Sequence, residues 1–343
     1  MKRSATILML ILLIAVVGGV GIVYVFVLDN VQLADKTQRT ISIKIPTGSS
    51  YADVVRILKS KNALKNYNSF EWTCRLKGYD KKIRSGHYVL RSGKGNRAIV
   101  NLLKGGLQTP VQLVIYNIRT KEEFAGLVGR TLEIDSVALL SKLSSQDFCR
   151  KYQTDTNNIL SRFIVDNYEF YWNVSESKFL EKMQKAYADY WNKERKQIAT
   201  DLHFTESQIT TLASIVEKEV IFDKEMATVA GVYLNRLRIN MPLQADPTLV
   251  FARKDFTAKR VTAYHKEYDT PYNTYKYAGL PPGPICMPRK KSIEAVLHAE
   301  AHRYLYFCAN PDMSGYSIFS ESYEDQMRVA AMYRKKLDAM NIR

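Results

Sequence analysis

Residues that hold metals or cycle electrons are scarce in this chain. Four cysteines and five histidines occur in 343 residues. Cys74, Cys149, Cys286 and Cys308 form no CxxC pair, which excludes the common thiolate zinc spacings. His298 and His302 stand four apart on a stretch that reads as helical, but a zincin needs Glu directly after the first His, and Ala299 is there. No G-x-S-x-G elbow and no phosphate-binding glycine loop is present. Ser175 and Lys178 form a lone S-x-x-K without its S-D-N and K-T-G companions, so Ser175 reads as a helix cap. No cofactor and no metal is expected. The sequence also lacks low-complexity segments and repeats of fixed period. Acidic residues are the minority, 34 against 50 Lys and Arg, for a formal net charge of +16.

Long apolar runs are absent except at the start. Ser4 to Leu28 carries no charge. At about 1.5 Å per residue, such a helix exceeds a hydrocarbon core of about 30 Å. It is longer than the apolar region of a signal peptide, about 7–15 residues, and it ends in bulky Val25-Phe26-Val27-Leu28 where a cleavage site needs small residues. Residues 5–28 therefore read as an uncleaved single-pass anchor in the cell (inner) membrane. Lys2 and Arg3 place residues 1–4 in the cytoplasm. Residues 29–40 form a polar linker, and the rest lies outside the cytoplasm. A basic surface there favours acidic lipid headgroups or wall polymers. The anchor argues against nucleic acid, the usual partner of a basic chain. Outside the cytoplasm disulfides are permitted, and four cysteines allow three pairings. Buried free thiols are the simpler expectation, with Cys286 and Cys308 the pair to check.

Beyond the anchor, helical and strand periodicities alternate, so the fold class is α+β. Residues 40–45 alternate apolar and polar like a half-buried strand. A turn at 46–50 leads into a helix with Val54, Val55, Ile57 and Leu58 on its apolar face. A helix at 69–77, a strand at 87–90 and a helix at 97–104 closed by Gly105-Gly106 complete a small α+β unit, residues 41–107. The larger α+β unit, residues 108–343, begins with a strand at 111–116. A helix at 121–128 follows, capped by Thr120 and stopped by Gly129. Further helices are predicted at 136–143 and, as one long helix with an apolar and aromatic core stripe, at 175–196. Thr205-Glu206-Ser207-Gln208 is a capping box that opens a helix running to Glu219. Another helix spans 225–238. Residues 240–291 are proline-rich, polar and aromatic, and are expected to be mostly irregular. Loops of that length are usually functional. A helix at 292–301, strands at 304–309 and 316–319 and a helix at 321–339 close the chain.

The helix ending Val216-Glu217-Lys218-Glu219 holds two candidate acids. On a helical wheel its apolar face centres near Val216. Glu219 lies about 60° and Glu217 about 100° from that centre, and the two point about 200° apart. Both flank buried surface, where a carboxyl pKa rises and suits a general acid. Geometry alone leaves open which one enters a cleft and which is structural, and it places Glu219 deeper. In the loop, Gln244, Asp246, Tyr272, Asn273 and Tyr275 can hydrogen-bond sugar hydroxyls, and the tyrosines can stack on sugar faces. Gly279-Leu280-Pro281-Pro282-Gly283-Pro284-Ile285 is a stiff turn able to hold a cleft wall, with Leu280 and Pro281 as candidate lining residues.

Five blocks carry a family resemblance: Leu212-Ala213-Ser214-Ile215-Val216-Glu217-Lys218-Glu219, Val232-Tyr233-Leu234-Asn235-Arg236-Leu237, Leu243-Gln244-Ala245-Asp246-Pro247-Thr248, Tyr272-Asn273-Thr274-Tyr275, and the Gly279 to Ile285 turn. In this order they resemble the YceG-like endolytic murein transglycosylases, the MltG family. The resemblance implies that residues 41–107 are a LysM-like subdomain and residues 108–343 the catalytic domain. It implies a single catalytic carboxylate, carried over to Glu217, and cleavage of the MurNAc–GlcNAc β-1,4 bond within nascent peptidoglycan strands. The MurNAc 6-hydroxyl takes the place of water, leaving a 1,6-anhydro end. One carboxyl can protonate the leaving oxygen and then accept the hydroxyl proton, so the carboxylate pair of a hydrolase is not required. Peptidoglycan glycan strands and wall synthases (penicillin-binding proteins) are the partners it implies. An inactive membrane-anchored wall-binding scaffold is the alternative, and retention of Glu217 argues against it. Two departures bear on subsites: Met287-Pro288-Arg289 follows the turn where the family has Asn-Pro-Gly, and Tyr316 stands near where it has His.

Overall fold

The computed structural model describes residues 2–24, 39–258 and 260–340. Helix α1 (Lys2–Val23) is long and apolar enough to cross a membrane, by length and composition, between Thr6 and Val23. Residues 25–28 of the expected anchor and 29–38 of the expected linker lie outside the described residues, as do the side chains of Lys2 and Arg3. By its internal contacts the chain divides into two units. One comprises residues 1–113, 129–134 and 169–175, and the other residues 114–128, 135–168 and 176–343.

In the first unit, β1 (Thr40–Ile45) buries every second residue and pairs antiparallel with β2 (Gly86–Arg91), Ile43 opposite Tyr88. Between them run α2 (Tyr51–Ser60) and α3 (Tyr67–Lys77), followed after β2 by α4 (Asn96–Gly105). Ser50 and Asp53 close a capping box on α2, and Gly78 ends α3 in the left-handed region. Ile41, Ile43, Ile45, Val54, Leu58, Phe70, Tyr88, Ile99 and Leu103 form one core. Strand β3 (Val111–Val114) follows.

In the second unit, α5 (Lys121–Thr131) continues past Gly129, where a stop was expected. Helices α6 (Ser136–Leu143) and α7 (Gln146–Lys151) are followed by β4 (Asn167–Phe170). The single helix expected over 175–196 is two, α8 (Glu176–Tyr190) and α9 (Lys193–Asp201). The break has a local cause: Asn192 is extended and its side chain accepts from the Arg195 N–H, capping α9. Phe179, Leu180, Met183, Tyr187 and Tyr190 are all core residues.

Helix α10 (Glu206–Glu219) is the axis of this unit. Residues 209–216 are all buried, so the helix has no solvent face through that stretch. Its hydroxyls turn back onto the helix, Thr210 onto Glu206 O and Thr211 onto Ser207 O, as buried polar groups require. Around it stand α11 (Met226–Arg238), α12 (Asp246–Arg253) and, beyond the short α13 (Ala263–Lys266), α14 (Lys290–Leu297). The stretch expected to be mostly irregular thus contains two helices. Pro247 sits in the first turn of α12, where a missing N–H costs nothing. Strands β5 (Tyr306–Ala309) and β6 (Ser317–Ser320) form a hairpin, and α15 (Tyr323–Ala339) lies against it. Because α14 ends at Leu297, His298 and His302 do not share a helix face as expected. His302 Nε2 instead meets Thr228 O at 2.9 Å. All four thiols are free, three of them buried.

Candidate active site

The last turn of α10 presents its two glutamates to different surroundings. Glu217 Oε2 accepts from the Arg289 N–H at 2.6 Å and from Ser292 Oγ at 2.8 Å, and Oε1 accepts from Arg289 Nε at 3.1 Å. Its side chain is only 7% exposed. All three partners donate, so the group acts here as an acceptor. Arg289 caps α14, so Glu217 also faces the positive end of that helix. The Arg289 guanidinium reaches on to Asp223 at 2.9 Å, and Lys291 pairs with the same carboxylate. This network ties the end of α10 to the start of α14.

Among the described residues Glu219 has one donor, the Tyr233 hydroxyl at 2.7 Å from Oε1. Burial pushes its pKa from 4.5 up to about 7; the Tyr233 hydrogen bond opposes that, the nearby Asp246 charge adds to it, and Arg236 opposes it. Tyr233 is itself fully buried on α11, and its pKa is driven upward by burial and by Glu219. Arg236 is buried one turn further along, spent on the carbonyls of Leu243 and Leu305, each at 2.6 Å.

Of the loop residues singled out in the sequence, Asp246 and Tyr275 come together near Glu219. The Tyr275 hydroxyl donates to Asp246 Oδ1 at 2.6 Å, and both act electrostatically on Glu219 or its tyrosine. Gln244 is exposed two residues before Asp246, in the left-handed region at φ 50°. Thr274 fixes this turn. Its carbonyl accepts the Gln244 N–H, and its hydroxyl accepts the Ala245 N–H and meets Thr248 Oγ1. Asn273 requires a correction. It is 0% exposed and its amide is consumed internally, donating to the carbonyls of Lys266 and Tyr268 and accepting from the Tyr275 N–H. It has no polar atom left for a sugar. Tyr272 is half-buried with its ring 5.0 Å from Phe251. Leu280 packs on the core and lines a separate cavity of about 590 Å³ with Leu202, Phe204, Leu234 and Leu237.

Pro281 is buried, and the turn that carries it is braced by Asn158 Nδ2 on Pro282 O at 2.6 Å. A Cβ on Gly283 would fall 2.4 Å from Asn157 O, so only glycine fits there. Further along the turn, the Ile285 N–H donates to Ser214 Oγ in the middle of α10. Tyr233 and Arg236 appeared in the sequence only within the Val232 to Leu237 block, with no role attached. The signal available was spacing: Val229, Tyr233 and Arg236 share one buried face of α11, and a buried Arg needs a reason. Among the described residues no three His, Cys, Asp or Glu side chains gather as a metal cage.

The sequence pattern of the YceG-like family matches residues 43–332. The chain belongs to that family. Its five sequence blocks therefore pointed to the right relatives. This YceG-like chain is 28% identical over 340 residues to a Bacillus subtilis (strain 168) protein named endolytic murein transglycosylase, covering 93% of this chain and 91% of the relative. It is 25% identical over 351 residues to the Streptococcus pneumoniae serotype 2 (strain D39) protein of the same name. That alignment covers 92% of this chain but 62% of the pneumococcal protein, so the chain spans less than two thirds of that relative. A crystal structure of a YceG-like protein from Listeria monocytogenes superposes with a TM-score of 0.59 at 29% identity, covering 85% of this chain and 99% of that one.

Proposed function

We propose that this chain is an endolytic murein transglycosylase in which Glu217 is the catalytic acid and base. It cuts the MurNAc–GlcNAc β-1,4 bond inside glycan strands and leaves a 1,6-anhydro end. What supports Glu217 is its place as the first glutamate of the Val216-Glu217-Lys218-Glu219 run, the position the family resemblance implies, in a chain whose residues 43–332 match the YceG-like family. Ser292 and Arg289 hold its carboxyl in position. Protonated Glu217 donates to the glycosidic oxygen as the C1–O4 bond breaks. The resulting carboxylate accepts the proton of the 6-hydroxyl as C1–O6 forms, which restores the acid without consuming water. Glu219 is the second reading: it is buried against Tyr233, desolvation pushes its pKa up, and Asp246 with Tyr275 lies nearby.

The remaining parts of the reading follow the sequence. Residues 5–28 anchor the chain in the membrane with residues 1–4 in the cytoplasm, and residues 41–107 serve as a LysM-like glycan-contacting subdomain. Wall synthases are the partners a membrane-held strand cutter needs beside new glycan. The test is mass spectrometry of soluble products from sacculi treated with the parent protein, Glu219→Gln and Glu217→Gln. Anhydro-ended fragments should vanish with Glu217→Gln and persist with Glu219→Gln. Fragments with ordinary reducing ends from the parent would replace the lytic reaction with hydrolysis.

A further inference from the structure

Helix α12 connects the candidate site to a second cluster of unusual composition. Asp246 and Arg253 are its first and last residues. Seven residues apart, they fall within about 20° of one another on the helix and roughly 10 Å apart along it. At the Asp246 end stands Tyr275. At the Arg253 end the guanidinium lies 4.0 Å from the centre of the Tyr264 ring and 4.1 Å from that of Tyr268. Those rings are exposed, Tyr264 by 59% and Tyr268 by 38%. Lys266, from the same short helix as Tyr264, covers the Tyr275 ring at 4.6 Å and bridges the two ends.

Exposed rings are commonly mobile, but these are held. Arg253 Nη2 donates to Tyr264 O at 2.7 Å. His265, buried at 4% exposure, fixes α13 from beneath through Asp255 at 3.3 Å and Thr262. Asn273 holds the carbonyls of Lys266 and Tyr268. A planar guanidinium stacked on both rings fixes their orientation in a way an ammonium could not. A fixed aromatic face with a hydroxyl at its edge offers contact area at little entropic cost and a polar handle beside it. Those are the two things a pyranose presents in mirror image: an apolar face of C–H groups and an equatorial rim of hydroxyls.

We infer that Tyr264 and Tyr268, clamped by Arg253, form a glycan-stacking platform that binds sugar units of the strand beyond those next to the scissile bond. The platform rests on the proposed glycan-cutting function, but not on which glutamate is the acid. It predicts a length dependence: long oligosaccharides reach the rings and a disaccharide seated at the catalytic glutamate does not.

The experiment is calorimetric titration of the full chain in detergent micelles with N-acetylglucosamine hexamer and dimer, with both Glu217→Gln and Glu219→Gln in the background so that turnover is silent whichever of them is the acid. The double variant Tyr264→Ala/Tyr268→Ala should bind the hexamer about tenfold more weakly or worse and leave dimer binding unchanged. Tyr264→Phe/Tyr268→Phe keeps the rings and should stay near the parent, which guards against a merely unfolded loop. Arg253→Lys should fall between. Equal hexamer affinity for the parent and the double alanine variant would overturn the platform, and so would equal losses for the alanine and phenylalanine pairs. Neither glutamate can supply a proton in this background, so the binding result stands whichever of them is the acid.

Discussion

The carboxyl of Glu217 faces three donors, two from Arg289 and one from Ser292, whereas that of Glu219 faces a single tyrosine hydroxyl with a second carboxylate nearby. The two residues share a helical turn, a side-chain type and adjacency to the same core. What separates them is the direction of the neighbouring dipoles. Donors join Glu217 to a second helix. Desolvation and the nearby Asp246 charge push the Glu219 pKa up. A carboxylate motif in a sequence therefore names two candidates, and their packed neighbours distinguish them.

The comparison breaks most sharply at Glu217→Gln. Loss of the proton donor should lower the release of anhydro-ended products by about 10²–10⁴-fold or more. It also leaves three donors with a weaker acceptor, at a cost of about 1–3 kcal/mol of stability, so the assay belongs well below the melting transition. Near-parental turnover in this variant would end the assignment. Glu219→Gln should keep measurable turnover, with the melting curve unchanged or raised, because a desolvated carboxyl is a local cost. A Glu219→Gln variant that is inactive yet melts like the parent would exchange the two roles.

A subtler effect concerns pH. The folded pKa of Glu219 lies above its ordinary 4.5, at about 7, so the folded state holds a proton that the unfolded state has released. The corresponding stability is fully present below about 4.5 and is lost as pH rises through about 7. Glu219→Gln should flatten that slope. Tyr233→Phe removes the hydrogen bond that lowers this pKa, so the fall in stability should move to higher pH. An unmoved slope would mean that another group controls it. The smallest change is expected at Lys291→Ala. The Lys291–Asp223 pair is about half exposed, and such pairs contribute about 0–1 kcal/mol, so the melting temperature should barely shift.

The ease of reading the sequence differed along the chain for physical reasons. Where side chains satisfy backbone groups close by, the elements were plain: Ser50 with Asp53 at α2, Thr205 with Gln208 at α10, and the alternation of β1. The break at Asn192 was hidden because aromatic residues keep helical spacing up to it, and one cap outweighs that periodicity. Strand β4 has only four residues, too few to show a period. For the acid, the helical wheel presumed a helix with a wet face, and residues 209–216 have none. Depth on the wheel favoured Glu219 and the family resemblance implied Glu217, because a wheel reads burial and not chemistry. The sequence could not place Tyr233 against Glu219, because that contact is made by the return of a separate helix. Asn273 looked like a sugar ligand because a polar side chain in a loop gives no sign of being consumed by its own backbone.

Thr274 has a mechanical consequence. A single buried residue grips the Gln244 to Thr248 turn with its carbonyl and its hydroxyl, 29 positions away in sequence. Everything between is a closed circuit whose ends are already joined. Lengthening a closed circuit is cheap, since doubling it costs about 0.6 kcal/mol in chain entropy. The position of Asp246 is thereby decoupled from the length of the segment after α12. The arm can be lengthened, shortened or redecorated while the Asp246 carboxylate stays where it is.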